Sequence, residues 1–205
     1  EKEREYFIMK PVDKAEQNDV LKDCAERFEK LGIDYMLTGS MALVHYAMPR
    51  TTTDIDVVIE LSLENVENFI KEFEPDYYVP HSRIRDAIYR KRMFNILNQQ
   101  TIIKVDCVIR KKDDFSLNAF SKRKKVNYAG SFDVWIIGKE DLIISKLNWA
   151  KVSHSEMQMR DVASILRNGY DKEYVDYWTE KLGIQDILQE CFELLEKNYA
   201  DGYDS

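Results

Sequence analysis

The chain has 205 residues, 44% hydrophobic and 33% charged, the composition of an ordinary globular protein with room for one large domain or a core plus an appendage. Its formal net charge of −7 and sequence pI near 5.2 argue against a protein that coats nucleic acid through bulk electrostatics. It has no apolar run near the length of a membrane span and no secretory-signal pattern, and Cys24, Cys107 and Cys191 are odd in number and far apart, which suits a reducing, cytoplasmic compartment.

From the N-terminus, residues 19–31 carry Val20, Leu21, Cys24, Phe28 and Leu31 at helical spacing, and Gly32 comes next as a stop. Residues 33–39 read as a strand ending in a glycine turn, 40–47 as a short helix with Ser40 at its N-cap, and 48–53 as a loop. The β-branched run DIDVVIE (54–60) is a strand, and 63–73 a helix. Pro75 and Pro80 interrupt the next stretch, and a helix is expected over 82–91. Residues 93–98 and 101–110 form a hairpin around a polar Asn-Gln-Gln turn, a short helix is expected near 113–121, and a second hairpin over 124–137 turns at Gly130.

Beyond Gly138 the character changes. Segments 139–150, 155–169, 171–183 and 184–199 all carry helical periodicity. Two capping boxes, Ser153–Glu156 and Ser155–Gln158, overlap at the start of the second, and Gly169 and Gly183 serve as stops. The apolar stripe through Tyr174, Val175, Trp178 and Leu182, continued by Ile184, Ile187, Leu188, Cys191 and Leu195, is most simply core packing. The expected organisation is an α/β core over 1–137 with a helical region, 138–205, packed on it.

The chemistry concentrates in residues 39–60. Gly39 and Ser40 open the short helix, and after thirteen further residues Asp54 and Asp56 head a strand. Side chains alternate along a strand, so the two carboxylates share a face while Ile55, Val57 and Ile59 take the other. Each pattern alone is common, as a surface pair or a plain cap. A third carboxylate, Asp106, sits mid-strand in an apolar run, where an unpaired charge is costly to bury. The Asp54–Asp56 pair after a tight glycine turn suits a divalent cation carrying phosphates, which prefers hard oxygen ligands. His45, His81 and His154 show no ligand spacing, and no nucleophile elbow points to serine catalysis. The basic runs at 83–92, 110–112 and 122–125 read either as solvated surface or as a positive rim for a phosphate-bearing substrate.

A Gly-Ser pair after a strand, a short helix and then Asp-x-Asp on the next strand resembles the signature of the polymerase-beta-like nucleotidyltransferases. The run Arg50-Thr51-Thr52-Thr53-Asp54-Ile55-Asp56, the segment Glu140-Asp141-Leu142-Ile143-Ile144-Ser145-Lys146-Leu147 and Arg160-Asp161-Val162 are similar to a small prokaryotic branch, over residues 33–166. Some members of that branch are toxins of toxin–antitoxin or abortive-infection systems, and others modify antibiotics.

The resemblance implies an α+β nucleotidyltransferase fold, a small mixed sheet flanked by helices with a C-terminal helical region. It implies a Mg2+-dependent transferase that moves a nucleoside monophosphate from an NTP to a hydroxyl. Asp54, Asp56 and Asp106 would hold two Mg2+ ions, with Mn2+ as a substitute, and Asp106 would double as base. Gly39, Ser40, Lys146 and Arg50 would bind the nucleotide, with Asp161 pairing with a base or orienting Lys146. RNA (tRNA included) or protein is slightly favoured as acceptor over a small molecule; an antitoxin or a second copy is the expected partner, and a membrane is not. The alternative from another class is a nucleotide- or partner-binding module that keeps the fold without turnover.

Overall fold

Asp13 opens the first helix by accepting a hydrogen bond from the Ala15 backbone N–H at 3.0 Å, so α1 (Lys14–Lys30) starts ahead of the apolar periodicity that betrays it in the sequence. The computed structural model describes residues 13–48 and 50–200, with side chains as far as Glu196. Pro49, inside the expected loop, and segments 1–12 and 201–205, at the ends of the two expected regions, lie outside the described residues.

The strands are β1 (Tyr35–Thr38), β2 (Asp54–Ile59), β3 (Tyr77–Tyr78), β4 (Met93–Asn98), β5 (Lys104–Ile109), β6 (Lys124–Tyr128) and β7 (Phe132–Ile136). Among the described residues they form one mixed sheet of order β3-β4-β5-β2-β1-β7-β6. The hairpins β4–β5 and β6–β7 are antiparallel, as expected, whereas β2 pairs with β5 and β1 with β7 in parallel. The short β3 is a correction to the sequence reading: at two residues it shows no alternation, and it exists only as an edge added to β4.

β2 alternates as its sequence demands, with Ile55, Val57 and Ile59 fully buried and Asp54, Asp56 and Val58 partly exposed. Beside α1 the core is aromatic. Phe28 lies 5.3 Å from Tyr35, and Phe69 and Phe73 of α3 (Val66–Phe73) stack at 4.5 Å, with Phe94 edge-on to Phe69. A 3-10 turn, Leu63–Asn65, leads into α3, and α4 (His81–Arg90) comes after β3. Tyr77 donates to Asp23 at 2.7 Å, tying β3 to α1. All three cysteines are free and buried.

The later helices are α5 (Asp114–Ser121), α6 (Lys139–Ser153), α7 (Glu156–Leu166), α8 (Lys172–Leu182) and α9 (Gln185–Ala200). α6 packs against α7, α8 and α9 and also against α2 (Gly39–Tyr46), so the helical region is joined directly to the helix after β1. Tyr174 bonds Asp141 at 2.7 Å and Asn118 on its other side, fastening α8 to α6 and α5. Val175, Trp178, Ile184, Leu188 and Cys191 are buried, so the tail stripe is core. Neither expected capping box forms. Ser153 ends α6, its Oγ donating to the Trp149 carbonyl; His154 turns left-handed, and Ser155 takes the N-cap position without a side-chain bond. No described helix is long and apolar enough to cross a membrane. The architecture is the α+β arrangement expected, a mixed sheet flanked by helices.

Candidate functional site

β1 passes into α2 through a left-handed residue, Gly39, with φ of +63°. Thr38 is extended and occupies the N-cap position, so Ser40, expected there, sits inside the first turn instead. The reason for the glycine is steric as well as conformational. A Cβ on Gly39 would lie 2.0 Å from Oδ2 of Asp56, so the carboxylate rests where any other residue would put its side chain. The Ser40 backbone N–H faces Asp56 and favours its charged form.

Register then lines up a polar row. Thr38 pairs with Asp56, Asp56 with Asp106, and Asp106 with Asn95, all on one face across β1, β2, β5 and β4. Neighbouring strands lie about 4.8 Å apart, which brings the Asp56 and Asp106 carboxylates within range of a common ion. Asp106 is 7% exposed. Its Oδ2 accepts from Lys104 Nζ at 2.9 Å, while its Oδ1 is buried with no hydrogen-bond partner among the described residues. Asp54 joins from one pleat away, its Oδ2 lying 3.2 Å from the same Lys104 Nζ.

The arrangement sets the electrostatics. Burial, then the neighbouring charges of Asp106 and Asp54, push the Asp56 carboxyl up to about 6, against the opposing pull of Lys146 and the Ser40 N–H. Burial draws the Lys104 ammonium down, but its bonds to Asp106 and Asp54 outweigh this and hold it above the usual lysine value. Among the described residues no three His, Cys, Asp or Glu close on one point; Asp54 and Asp106 instead share Lys104. The donors are nonetheless all hard oxygens, and the orphaned Oδ1 of Asp106 is a buried acceptor of the kind a bound cation satisfies. The residues fit a divalent metal.

A second cluster flanks the first. Lys146 of α6, 3% exposed, donates to Asp161 Oδ2 at 2.7 Å and to Gln158 Oε1 at 3.0 Å. Arg50 reaches Asp161 Oδ1 through Nε at 2.9 Å and bonds the Ser40 hydroxyl through Nη2. Asp161 therefore both pairs with a basic group and orients Lys146, and the cluster of two cations and one anion keeps a net positive charge. Burial lowers the Lys146 pKa and the Asp161 bond opposes the fall.

The structure thus brings Asp54, Asp56 and Asp106 to one face, with Gly39 beneath Asp56, and groups Ser40, Arg50 and Lys146 around Asp161. Lys104, Asn95 and Gln158 escaped the sequence reading. Lys104 was legible, since it stands two residues before Asp106 and so shares its face; Asn95 and Gln158 depend on register and helix docking. Five of the twelve cations in the basic runs are paired with acids outside the site. Arg85 pairs with Glu67, Arg90 with Asp86, Arg110 with Glu60, Arg123 with Asp34 and Lys125 with Glu29.

Residues 15–191 match the family described as nucleotidyltransferase of unknown function (DUF6036). No curated protein matches the sequence. Among solved structures, an antigenic nucleotidyltransferase-like protein from Paracoccidioides brasiliensis superposes with a TM-score of 0.53 at 16% identity, over 90% of this chain and 95% of that one. The likeness at that identity is one of fold. Lincosamide antibiotic adenylyltransferase LnuA with lincomycin bound gives a TM-score of 0.49 at 14% identity, over 76% of this chain and 99% of its own. ANT(2")-Ia in complex with adenylyl-2"-tobramycin gives 0.45 at 12%, over 90% and 99%.

Proposed function

We propose, since the chain belongs to the DUF6036 family of nucleotidyltransferases of unknown function, that it transfers a nucleoside monophosphate from an NTP to a hydroxyl at a divalent-metal centre. The observation that carries this reading is the in-register pairing of Asp56 with Asp106, with one Asp106 oxygen buried and unpartnered among the described residues. Asp54, Asp56 and Asp106 would hold Mg2+, as one or two ions. When bound, the metal neutralises charge on the reacting phosphates and acidifies the attacking hydroxyl.

The protein's own groups supply the rest. The excess positive charge of Arg50 and Lys146 around Asp161 suits the triphosphate, and Lys146 stands close enough to Asp56 to favour its charged form. The backbone N–H groups opening α2 favour anions, and Ser40, positioned by Arg50, retains its hydroxyl proton for a phosphate oxygen. Asp106 is the acceptor for the proton released by the attacking hydroxyl. In this reading the core, 1–137, carries the carboxylates and Arg50, and the helical region beyond it supplies Lys146 and Asp161.

For the acceptor, we favour a small hydroxylated molecule over RNA, because Arg85, Arg90, Arg110, Arg123 and Lys125 of the basic runs pair with nearby acids and the net charge is −7, which leaves less positive surface for a nucleic acid. Labelled NTPs with Mg2+ and a panel of total RNA, protein and hydroxylated antibiotics test both statements. Transfer is expected to fall at least about a hundredfold in Asp56→Ala and Asp106→Asn. No transfer to any acceptor, with NTP binding unchanged in those variants, would overturn the enzyme reading. Label appearing on RNA alone would overturn the small-molecule preference.

A further inference from the structure

Among the described residues Lys104 is the one cation of the site that Asp161 does not hold. It stands at the start of β5, directly across from Asp54 and on the same face as Asp106. Its Nζ lies 3.2 Å from Asp54 Oδ2 and 2.9 Å from Asp106 Oδ2, so one ammonium ties together carboxylates on two strands. The arrangement is lopsided. The Asp106 side chain is only 10% exposed, but those of Lys104 and Asp54 are 36% and 40% exposed. The carboxylate of Asp106 is fixed by the strand, whereas the four-carbon stem of Lys104 has solvent to move into. Lys104 also leaves Asp106 half satisfied, since Oδ1 remains buried and unpaired.

We propose that Lys104 is a built-in counter-cation, which bridges Asp54 and Asp106 in the metal-free protein and is displaced when a divalent ion takes those oxygens. This rests on the reading of the carboxylates as metal ligands. Metal binding is then an exchange of cations and not the filling of bare carboxylates. Three acidic groups on one face repel one another, and a lysine between them offsets that repulsion while the metal is away. An ion of twice the charge outcompetes it, because it can engage Asp56 and the free Asp106 oxygen as well. The bridge to Asp54 is solvent-facing and weak, which lets it open. Free metal is accordingly held loosely, and monovalent ions gain nothing over the ammonium already present.

The test is calorimetric titration of Mg2+, and separately Mn2+, into the full chain without nucleotide, using wild type, Lys104→Met and Lys104→Arg. Lys104→Met is expected to bind metal about tenfold more tightly, to melt lower than wild type in chelator, and to show a larger rise in Tm on adding Mg2+. Lys104→Arg, which keeps the charge, is expected to stay within about threefold of wild type. Near-ultraviolet circular dichroism checks that each variant is folded, and Lys104→Gln replaces the Met variant if it is not. Metal affinity that is unchanged or weaker in the neutral variants, with wild type still binding Mg2+ and transferring nucleotide, overturns this inference alone. No Mg2+ binding by any form overturns it together with the metal reading beneath it.

Discussion

Gly39 and Asp56 claim the same space: Oδ2 of Asp56 sits 2.0 Å from where a Cβ on Gly39 would be. Gly39→Ala therefore meets two penalties, a clash with a carboxylate fixed on β2 and a left-handed backbone that costs an L-residue about 1–2 kcal/mol. We expect a loss of at least about 2 kcal/mol in chemical denaturation, and loss of nucleotidyl transfer because relief of the clash moves Asp56. Gly130→Ala is the control. Its φ is +70° but nothing lies within 4 Å of the added Cβ, so it should cost only the backbone penalty and leave transfer intact.

Asp161 balances two cations, one of them buried, so its removal should be felt chiefly as stability. Asp161→Asn leaves Lys146 without its counter-charge in a site where the two side chains are 4% and 5% exposed. A loss of about 3–5 kcal/mol is expected in urea denaturation. The double variant Asp161→Leu with Lys146→Met removes the buried pair and leaves only Arg50, whose side chain is 28% exposed to solvent, so it should regain most of that stability without regaining transfer. A double variant as unstable as the single one would show that the pair is not what holds α6 to α7.

The metal-free protein should become less stable as pH rises through weak acid. Asp56 is pushed up to about 6 by burial and by its acidic neighbours, from an ordinary aspartate value of 3.8. Its carboxyl is thus more readily protonated in the folded than in the unfolded state. The associated stability is fully present below about pH 4 and is lost by the time pH passes about 6, at most about 3 kcal/mol. Asp56→Asn, neutral at every pH, should flatten this segment of the profile measured in chelator. A wild-type curve that is level or rising between about pH 4 and 6, and unchanged by the substitution, would contradict it.

Ile102 is an exposed, β-branched residue in the left-handed region, 59% exposed with φ of +60°, at the turn joining β4 to β5. The turn is built by Asn98, whose Oδ1 accepts from the N–H groups of Gln100 and Thr101. Ile102→Gly relieves the strain and should stabilise the protein by about 1 kcal/mol, read from the denaturation midpoint. Ile102→Val keeps the branching and should give no gain.

Much of this was legible in the sequence because it is local. The Asp54–Asp56 face comes from strand alternation, the Gly130 hairpin from its turn, and the tail helices from apolar spacing. The illegible parts depend on partners far along the chain. Asp13 starts α1 in a stretch with no apolar stripe, and Tyr77–Tyr78 is a strand only because β4 is beside it. Ser40 looks like an N-cap in sequence, but the space Asp56 requires moves the boundary to Thr38. Arg50 and Asp161 meet across 111 residues of separation, and only the docking of α7 beside α2 reveals that one acid serves both Arg50 and Lys146.

The parallel pairing of β2 with β5 has a consequence in time. Asp56 acquires Asp106 only after β3, α4 and β4 have been laid down, and Lys146 and Asp161 arrive later still. Contacts of such long sequence separation form slowly and near the end of folding. A chain still emerging from the ribosome carries its first two aspartates without the groups they work with. On the proposed reading, transfer waits for α6 and α7, which bring Lys146 and Asp161 to the carboxylate face last.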